Sequence, residues 1–173
     1  MEHVVATDPT ATLRAGKGRP RSAAEPPEQV PLSRLFECME AILAAIDERG
    51  ELILTACRRA RVSKHTFLMW RALRREPSIA KLASLARAVG YDLVMIRGAA
   101  EIPLEDAAAI VTALEAERKR RCLTILDIDN KFGVPNRSWS YWRAGVRPPS
   151  LGPLVILAEA FGYDVVMRRA RSG

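Results

Sequence analysis

Leu123-Thr-Ile-Leu-Asp-Ile-Asp-Asn-Lys-Phe-Gly-Val134, continued by Pro135-Asn-Arg-Ser-Trp-Ser-Tyr-Trp-Arg-Ala-Gly145, is the stretch on which the fold turns. Two short segments meet at Gly133–Val134, and Gly145 closes the second. Thr124 and Asp127 stand at the spacing of an N-cap and its third helical residue, which predicts a helix start. Glycine directly after such a run marks a helix end. The stretch therefore reads as two short helices joined by a tight turn. A second version lies 72 residues upstream: Leu52-Ile-Leu-Thr-Ala-Cys-Arg-Arg-Ala-Arg-Val-Ser63, then Lys64-His-Thr-Phe-Leu-Met-Trp-Arg-Ala-Leu73.

The same shift aligns a longer region without a gap. Trp70–Arg71–Ala72 meets Trp142–Arg143–Ala144, and Pro77–Ser78 meets Pro149–Ser150. Gly90–Tyr91–Asp92 meets Gly162–Tyr163–Asp164, and Val94–Met95 meets Val166–Met167. Between 50–97 and 122–169, 19 of 48 positions are identical, so the chain carries one small unit twice. Two copies are too few for a solenoid. They read as two domains or one pseudo-symmetric pair.

Around these units the chain divides further. Residues 1–30 hold prolines, glycines and alternating charges with no helical or strand period, and read as a tail without core residues. Leu35, Met39, Ile42, Leu43 and Ile46 recur at helical steps up to Gly50, and Leu82, Leu85, Ala86 and Val89 up to Gly90. Tyr91–Ile96 has strand composition. The expected boundaries are a tail over 1–30, a first domain over 31–97, a linker over 98–104 and a second domain over 105–173. Pairing of 92–97 with 164–169 inside one chain would make an internal pseudo-dimer; pairing between chains would make a homodimer.

The 173 residues have 49% apolar and 27% charged types, and aromatics make up only 6%, a balance that favours helices over a β-sandwich. The net charge of +7 suggests a polyanionic partner. No membrane span and no secretion signal are expected, because no long apolar run exists. Cys38, Cys57 and Cys122 are far apart and odd in number, which fits a reducing cytoplasm without disulfide or metal spacing.

The repeated unit resembles the phage-repressor/Cro-type (XRE) helix-turn-helix family. The second copy shows Gly133–Val134, Gly145, Pro149–Ser150–Leu151 and Leu154–Leu157–Ala158. The first shows Val62–Ser63, Pro77–Ser78–Ile79 and Leu82–Leu85–Ala86. The resemblance covers most of 35–97 and 105–169. It implies a mainly α fold of two lambda-repressor-like helix-turn-helix domains; part of the family adds a short strand after the last helix. It also implies groove-facing positions: Ser63, Lys64, His65, Leu68 and Met69 in the first copy, and Pro135, Asn136, Arg137, Ser140 and Tyr141 in the second. Asn136 and Arg137 have the best base-reading chemistry, since an amide pairs with adenine and a guanidinium with guanine. The chain departs from the family at three kinds of position. Ile53 and Ile125 replace the glutamine that opens the helix before the turn, Arg61 replaces the turn glycine, and Asp129 replaces a small apolar residue.

Charge and aromatic placement add to this. Arg58, Arg59, Arg61, Lys64, Arg71, Arg74 and Arg75 occupy a stretch, 52–75, with no acid, as phosphate contacts would require. Arg118–Arg121 end a helix, where cations either suit the dipole or meet DNA. Phe67, Trp70, Trp139 and Trp142 fall on the face that must pack inward. Lys17-Gly-Arg-Pro-Arg21 looks like an AT-hook core, in which Lys17, Arg19 and Arg21 would follow a narrow A·T-rich minor groove.

No catalytic or metal motif stands out and no cofactor is expected. Cys57 and His65 form the one conceivable nucleophile pair, and Cys57 reads more simply as a small buried residue. The expected function is that of a bacterial or phage-derived, non-enzymatic transcriptional regulator. It would be cytoplasmic and nucleoid-associated, binding double-stranded DNA with both units. The alternative is an antitoxin-like or RNA-polymerase-contacting module in which one copy binds protein.

Overall fold

The computed structural model describes residues 25–171. Strand β1 (Gln29–Pro31) precedes four helices, α1 (Leu35–Glu48), α2 (Ile53–Arg59), α3 (Lys64–Arg71) and α4 (Ile79–Ala88). Strands β2 (Tyr91–Arg97) and β3 (Ala100–Pro103) follow. Helices α5 (Ala107–Arg120), α6 (Ile125–Phe132), α7 (Asn136–Arg143) and α8 (Leu151–Ala160) then lead to β4 (Asp164–Arg169). The chain is mainly helical, with a small antiparallel sheet in the order β1-β4-β2-β3.

Local chemistry sets the helix ends. Helix α1 buries Met39, Ile42, Leu43 and Ile46, as their spacing predicts. At α6 the expected capping box forms: Thr124 Oγ1 accepts from the Asp127 N–H (3.1 Å), and Asp127 accepts from the Thr124 N–H (2.8 Å). Between α6 and α7 Gly133 takes the left-handed φ of +66°, and its counterpart Arg61 adopts the same conformation at +56°. The turn geometry thus persists where the glycine is missing, at a cost to the L-residue of roughly 1–2 kcal/mol. Two other equivalent pairs, Gly50 with Cys122 and Leu73 with Gly145, repeat this exchange.

The sheet joins the two units about a pseudo-two-fold axis. Strands β2 and β4 run antiparallel with Val94 opposite Val166, which are the same position in the two copies. Leu93 faces Met167 and Met95 faces Val165, pairs that interchange under the 72-residue shift. The outer strands obey the same symmetry. Val30 of β1 faces Met167, and Ile102 of β3 faces Met95. Each unit's leading strand therefore lies beside the other unit's closing strand, and the pairing of 92–97 with 164–169 is within one chain. Both outer strands are short and carry a proline, Pro31 or Pro103, which blunts the sheet edges.

Two sequence boundaries are corrected. Residues 98–104 do not form a linker: Gly98, at φ +58°, turns the chain so that 100–103 return along β2. The end of the 1–30 segment is not tail. Val30 is buried in the core, Tyr91 donates its hydroxyl to the Pro27 carbonyl (2.8 Å), and the Arg169 N–H donates to the Glu28 carbonyl (2.8 Å). A three-residue strand is too short for period-two alternation to be recognised in a proline-rich context.

One continuous core runs through both units and includes Val30, Leu93, Met95, Val165 and Met167 from one sheet face. On the opposite face Arg168 makes a two-pronged pair with Glu101 (2.8 and 2.8 Å), spanning β2. That pairing holds the Glu101 carboxyl down at about 2. Arginines at the strand ends reach across the axis. Arg97 lies over the Tyr163 ring (5.1 Å) and Arg169 over the Tyr91 ring (5.5 Å). Arg97 also meets Glu117 (2.9 Å), a buried carboxylate shared with Arg120 and Arg121, which hold it well below the usual range.

Candidate functional site

The paired helices α2–α3 and α6–α7 present outward faces of different chemistry on similar inner faces. In α3, Phe67 and Trp70 are buried, and in α7 Trp139 and Trp142. The outward positions of α3 are Lys64, His65 and Leu68, with Met69 half-buried at the margin; those of α7 are Asn136, Arg137 and Ser140, with Tyr141 half-buried. Trp139 Nε1 is buried without a hydrogen-bond partner, at the position that Phe67 fills in the first copy.

The start of each outward helix is capped in its own way. In the first copy Ser63 Oγ accepts from the Thr66 N–H (3.0 Å) and lies beside Thr66 Oγ1 (2.8 Å). Ser63 is thus engaged in holding α3, although it remains exposed. In the second copy Pro135 has no side-chain acceptor. Asp129 supplies one from α6, accepting from the Asn136 N–H (3.3 Å). This contact explains a carboxylate at a position where a small apolar residue was expected.

The cations of the first copy separate into two groups. Arg59 pairs with Glu51 through two hydrogen bonds (3.0 and 2.9 Å) and reaches the Ala88 carbonyl at the end of α4. Arg71 pairs with Glu40 of α1 (2.8 Å). These two fasten helices to one another. Arg58, Arg61, Lys64, Arg74 and Arg75 are exposed around α2, α3 and the following loop. Of Arg118–Arg121, Arg118 binds Glu115, Arg120 and Arg121 bind Glu117, and Lys119 lies 4.0 Å from Glu115. That run closes α5 and its carboxylates.

In the second copy the notable arrangement is a stack. Arg137 lies over the Tyr141 ring (5.2 Å) and donates from Nε to its hydroxyl (2.7 Å). Arg147 lies over the same ring (5.4 Å). Arg137, Ser138, Tyr141, Trp142, Arg147 and Ser150 line a cleft of about 340 Å³. Two guanidiniums fixed on one ring lose less freedom on meeting an anion than two free arginines would. Arg147 was not among the sequence candidates. Its one sequence signal was its identity with Arg75 in the first copy.

A further contact ties the units together on this side: the Glu76 carboxylate accepts from the Gly152 N–H at the start of α8. Cys57 is buried, and burial pushes its thiol upward, the reverse of what activates a nucleophile. Lys17, Arg19 and Arg21 lie outside the described residues. Among the described residues there is no group of three or more His, Cys, Asp or Glu placed to hold a metal, and no helix is long and apolar enough to cross a membrane. Comparison with family models, curated proteins and solved structures gives no match.

Proposed function

We propose that the chain is a transcriptional regulator of the helix-turn-helix kind that binds duplex DNA, with α2–α3 and α6–α7 as two motifs and α3 and α7 as the groove-entering helices. The observation that carries this reading is the repeated pair of short helices. Its outward helix is pinned from within by buried aromatics and left free of acidic residues on its outer face. A single helix fits a major groove about 12 Å wide, and the preceding helix holds it there. Arg58, Arg61, Arg74 and Arg75 near α3, and Arg147 near α7, are placed to neutralise phosphates. Arg59 is withdrawn from that set by Glu51.

Binding of a random duplex, followed by fluorescence anisotropy, tests the reading. Four or more phosphate contacts lower affinity by about 100-fold or more between 50 and 200 mM salt. Arg58→Glu with Arg61→Glu weakens binding to all sequences alike. Salt-independent affinity, or none, rejects the reading.

One observation favours a protein-contacting role for the first copy instead. Leu52, Leu54, Leu68 and Leu73 are exposed on it, Leu52 by 73%. Under that reading, an antitoxin-like or polymerase-contacting module, Leu68→Ser leaves DNA affinity unchanged and abolishes capture of the partner.

A further inference from the structure

We infer that one chain recognises an operator of two unlike half-sites in inverted orientation, acting as a built-in heterodimer; the inference rests on the DNA-binding reading above. Two sets of observations carry it. The first is the symmetry of the sheet. The pairs of β1 with β4, Gln29–Arg168, Val30–Met167 and Pro31–Val166, each have their counterpart between β3 and β2 after the 72-residue shift, and β2–β4 is symmetric about Val94 and Val166. Helices α3 and α7 belong to units related by that axis. A two-fold relation between reading heads is what matches an inverted repeat in DNA; heads related by translation would match a direct repeat. The second copy that other helix-turn-helix binders recruit as a separate chain is already present here.

The second set is where the copies agree and where they differ. On the buried side the equivalent residues are Phe67 and Trp139, Trp70 and Trp142, all apolar and all within the core. On the outward side they are Lys64 and Asn136, His65 and Arg137, Leu68 and Ser140, Met69 and Tyr141. None of the four pairs is identical: Lys64 and Asn136, and Leu68 and Ser140, differ in chemical class, while His65 and Arg137 share only a basic character and Met69 and Tyr141 only an apolar one. Packing thus holds both helices in the same pose while the surfaces they offer are dissimilar. Asn136 and Arg137 suit adenine and guanine edges, and Leu68 and Met69 suit a thymine methyl. Two equal half-sites would leave one head mismatched, at a cost of roughly 5- to 150-fold in affinity per lost bidentate contact.

The contacts across the axis fix the relative placement of the heads. Arg97 on Tyr163, Arg169 on Tyr91 and Glu76 on the Gly152 N–H all join opposite units. A single continuous core lies beneath them. Half-site spacing should therefore be narrow, as expected when no flexible linker separates the heads.

Selection by the full-length chain from duplexes randomised over roughly 30 base pairs, about three helical turns, tests this. The expected result is one chain per duplex and a consensus of two unlike halves, inverted, at one fixed spacing. The variant with Lys64→Asn, His65→Arg, Leu68→Ser and Met69→Tyr should select an inverted repeat of one half. The reciprocal variant, Asn136→Lys, Arg137→His, Ser140→Leu and Tyr141→Met, should select a repeat of the other; thermal unfolding of each checks that it folds. A symmetric, direct-repeat or single-half consensus for the natural chain overturns the inference. So do two chains per site, or a consensus that neither variant changes. Salt-sensitive binding without any enrichment also overturns it and leaves DNA binding standing, whereas failure to bind any duplex removes both.

Discussion

Arg61 and Gly133 occupy the same left-handed position in the two copies, so exchanging their types should move stability in opposite directions. At φ +56° Arg61 carries the steric penalty of an L-residue, roughly 1–2 kcal/mol. Glycine relieves it but adds freedom to the unfolded chain, worth about 0.4–1 kcal/mol. The net expectation for Arg61→Gly is a gain of about 0.5–1 kcal/mol. Gly133→Ala, at φ +66°, meets no heavy atom within 4 Å, so its cost is that of the backbone alone. Strain and unfolded-state entropy again oppose each other, leaving a loss of about 0.5–1 kcal/mol. Urea unfolding with a slope near 2 kcal/mol/M would show shifts of roughly 0.25–0.5 M, in opposite directions and at constant slope. Arg61→Gly should also weaken binding to random duplex DNA, because it removes an exposed cation beside α3. A fall in stability for Arg61→Gly would refute the strain argument, since it would mean that the side chain gains more from its surroundings than the backbone loses.

Other tests address the ends of the chain and its carboxylates. Removing 1–24 should, if Lys17, Arg19 and Arg21 follow a minor groove, weaken binding to sites flanked by A·T tracts more than by G·C. Removing 1–31 should lower the midpoint, because Val30, only 4% exposed, contributes about 1.5–3 kcal/mol by burial and β1 is lost with it. Glu101 sits at about 2 against an ordinary 4.5, so its pairing stabilises the fold above 4.5 and is lost as pH falls toward 2. Glu101→Gln should lower stability at pH 7 and flatten the acid side of a midpoint-versus-pH curve measured by circular dichroism.

Much of the local structure was legible because it depends on residues close in sequence. The stripe from Leu35 to Ile46, the Thr124–Asp127 box and the strand composition of 91–96 each concern a few consecutive turns, where spacing and hydrogen-bond chemistry suffice. Burial of Phe67, Trp70, Trp139 and Trp142 follows from the same periodicity. The internal repeat was visible as identity at a constant shift. The segments 29–31 and 100–103 were not legible as strands. Three or four residues carry too little pattern, and what makes them strands is the neighbour each finds in the other unit.

Among the candidate site residues the division is similar. Sequence alone placed the cations of 58–75 together, but they lie on one acid-free stretch and look alike there. Only the tertiary structure separated Arg59 and Arg71, whose partners Glu51 and Glu40 lie outside that stretch, from Arg58, Arg61 and Arg75. It likewise brought Arg147 onto the Tyr141 ring beside Arg137, a contact between a helix and the loop beyond it. The sequence by itself determined that one unit occurs twice, with apolar faces of helical period, because those properties are local and repeat at a fixed distance. Whether the copies stand apart, pair within the chain or pair between chains was open at that level. Strand composition specifies a propensity to pair and not a partner. Val94 meets Val166 because one core forms beneath both units, and that long-range packing exists only once the chain has folded.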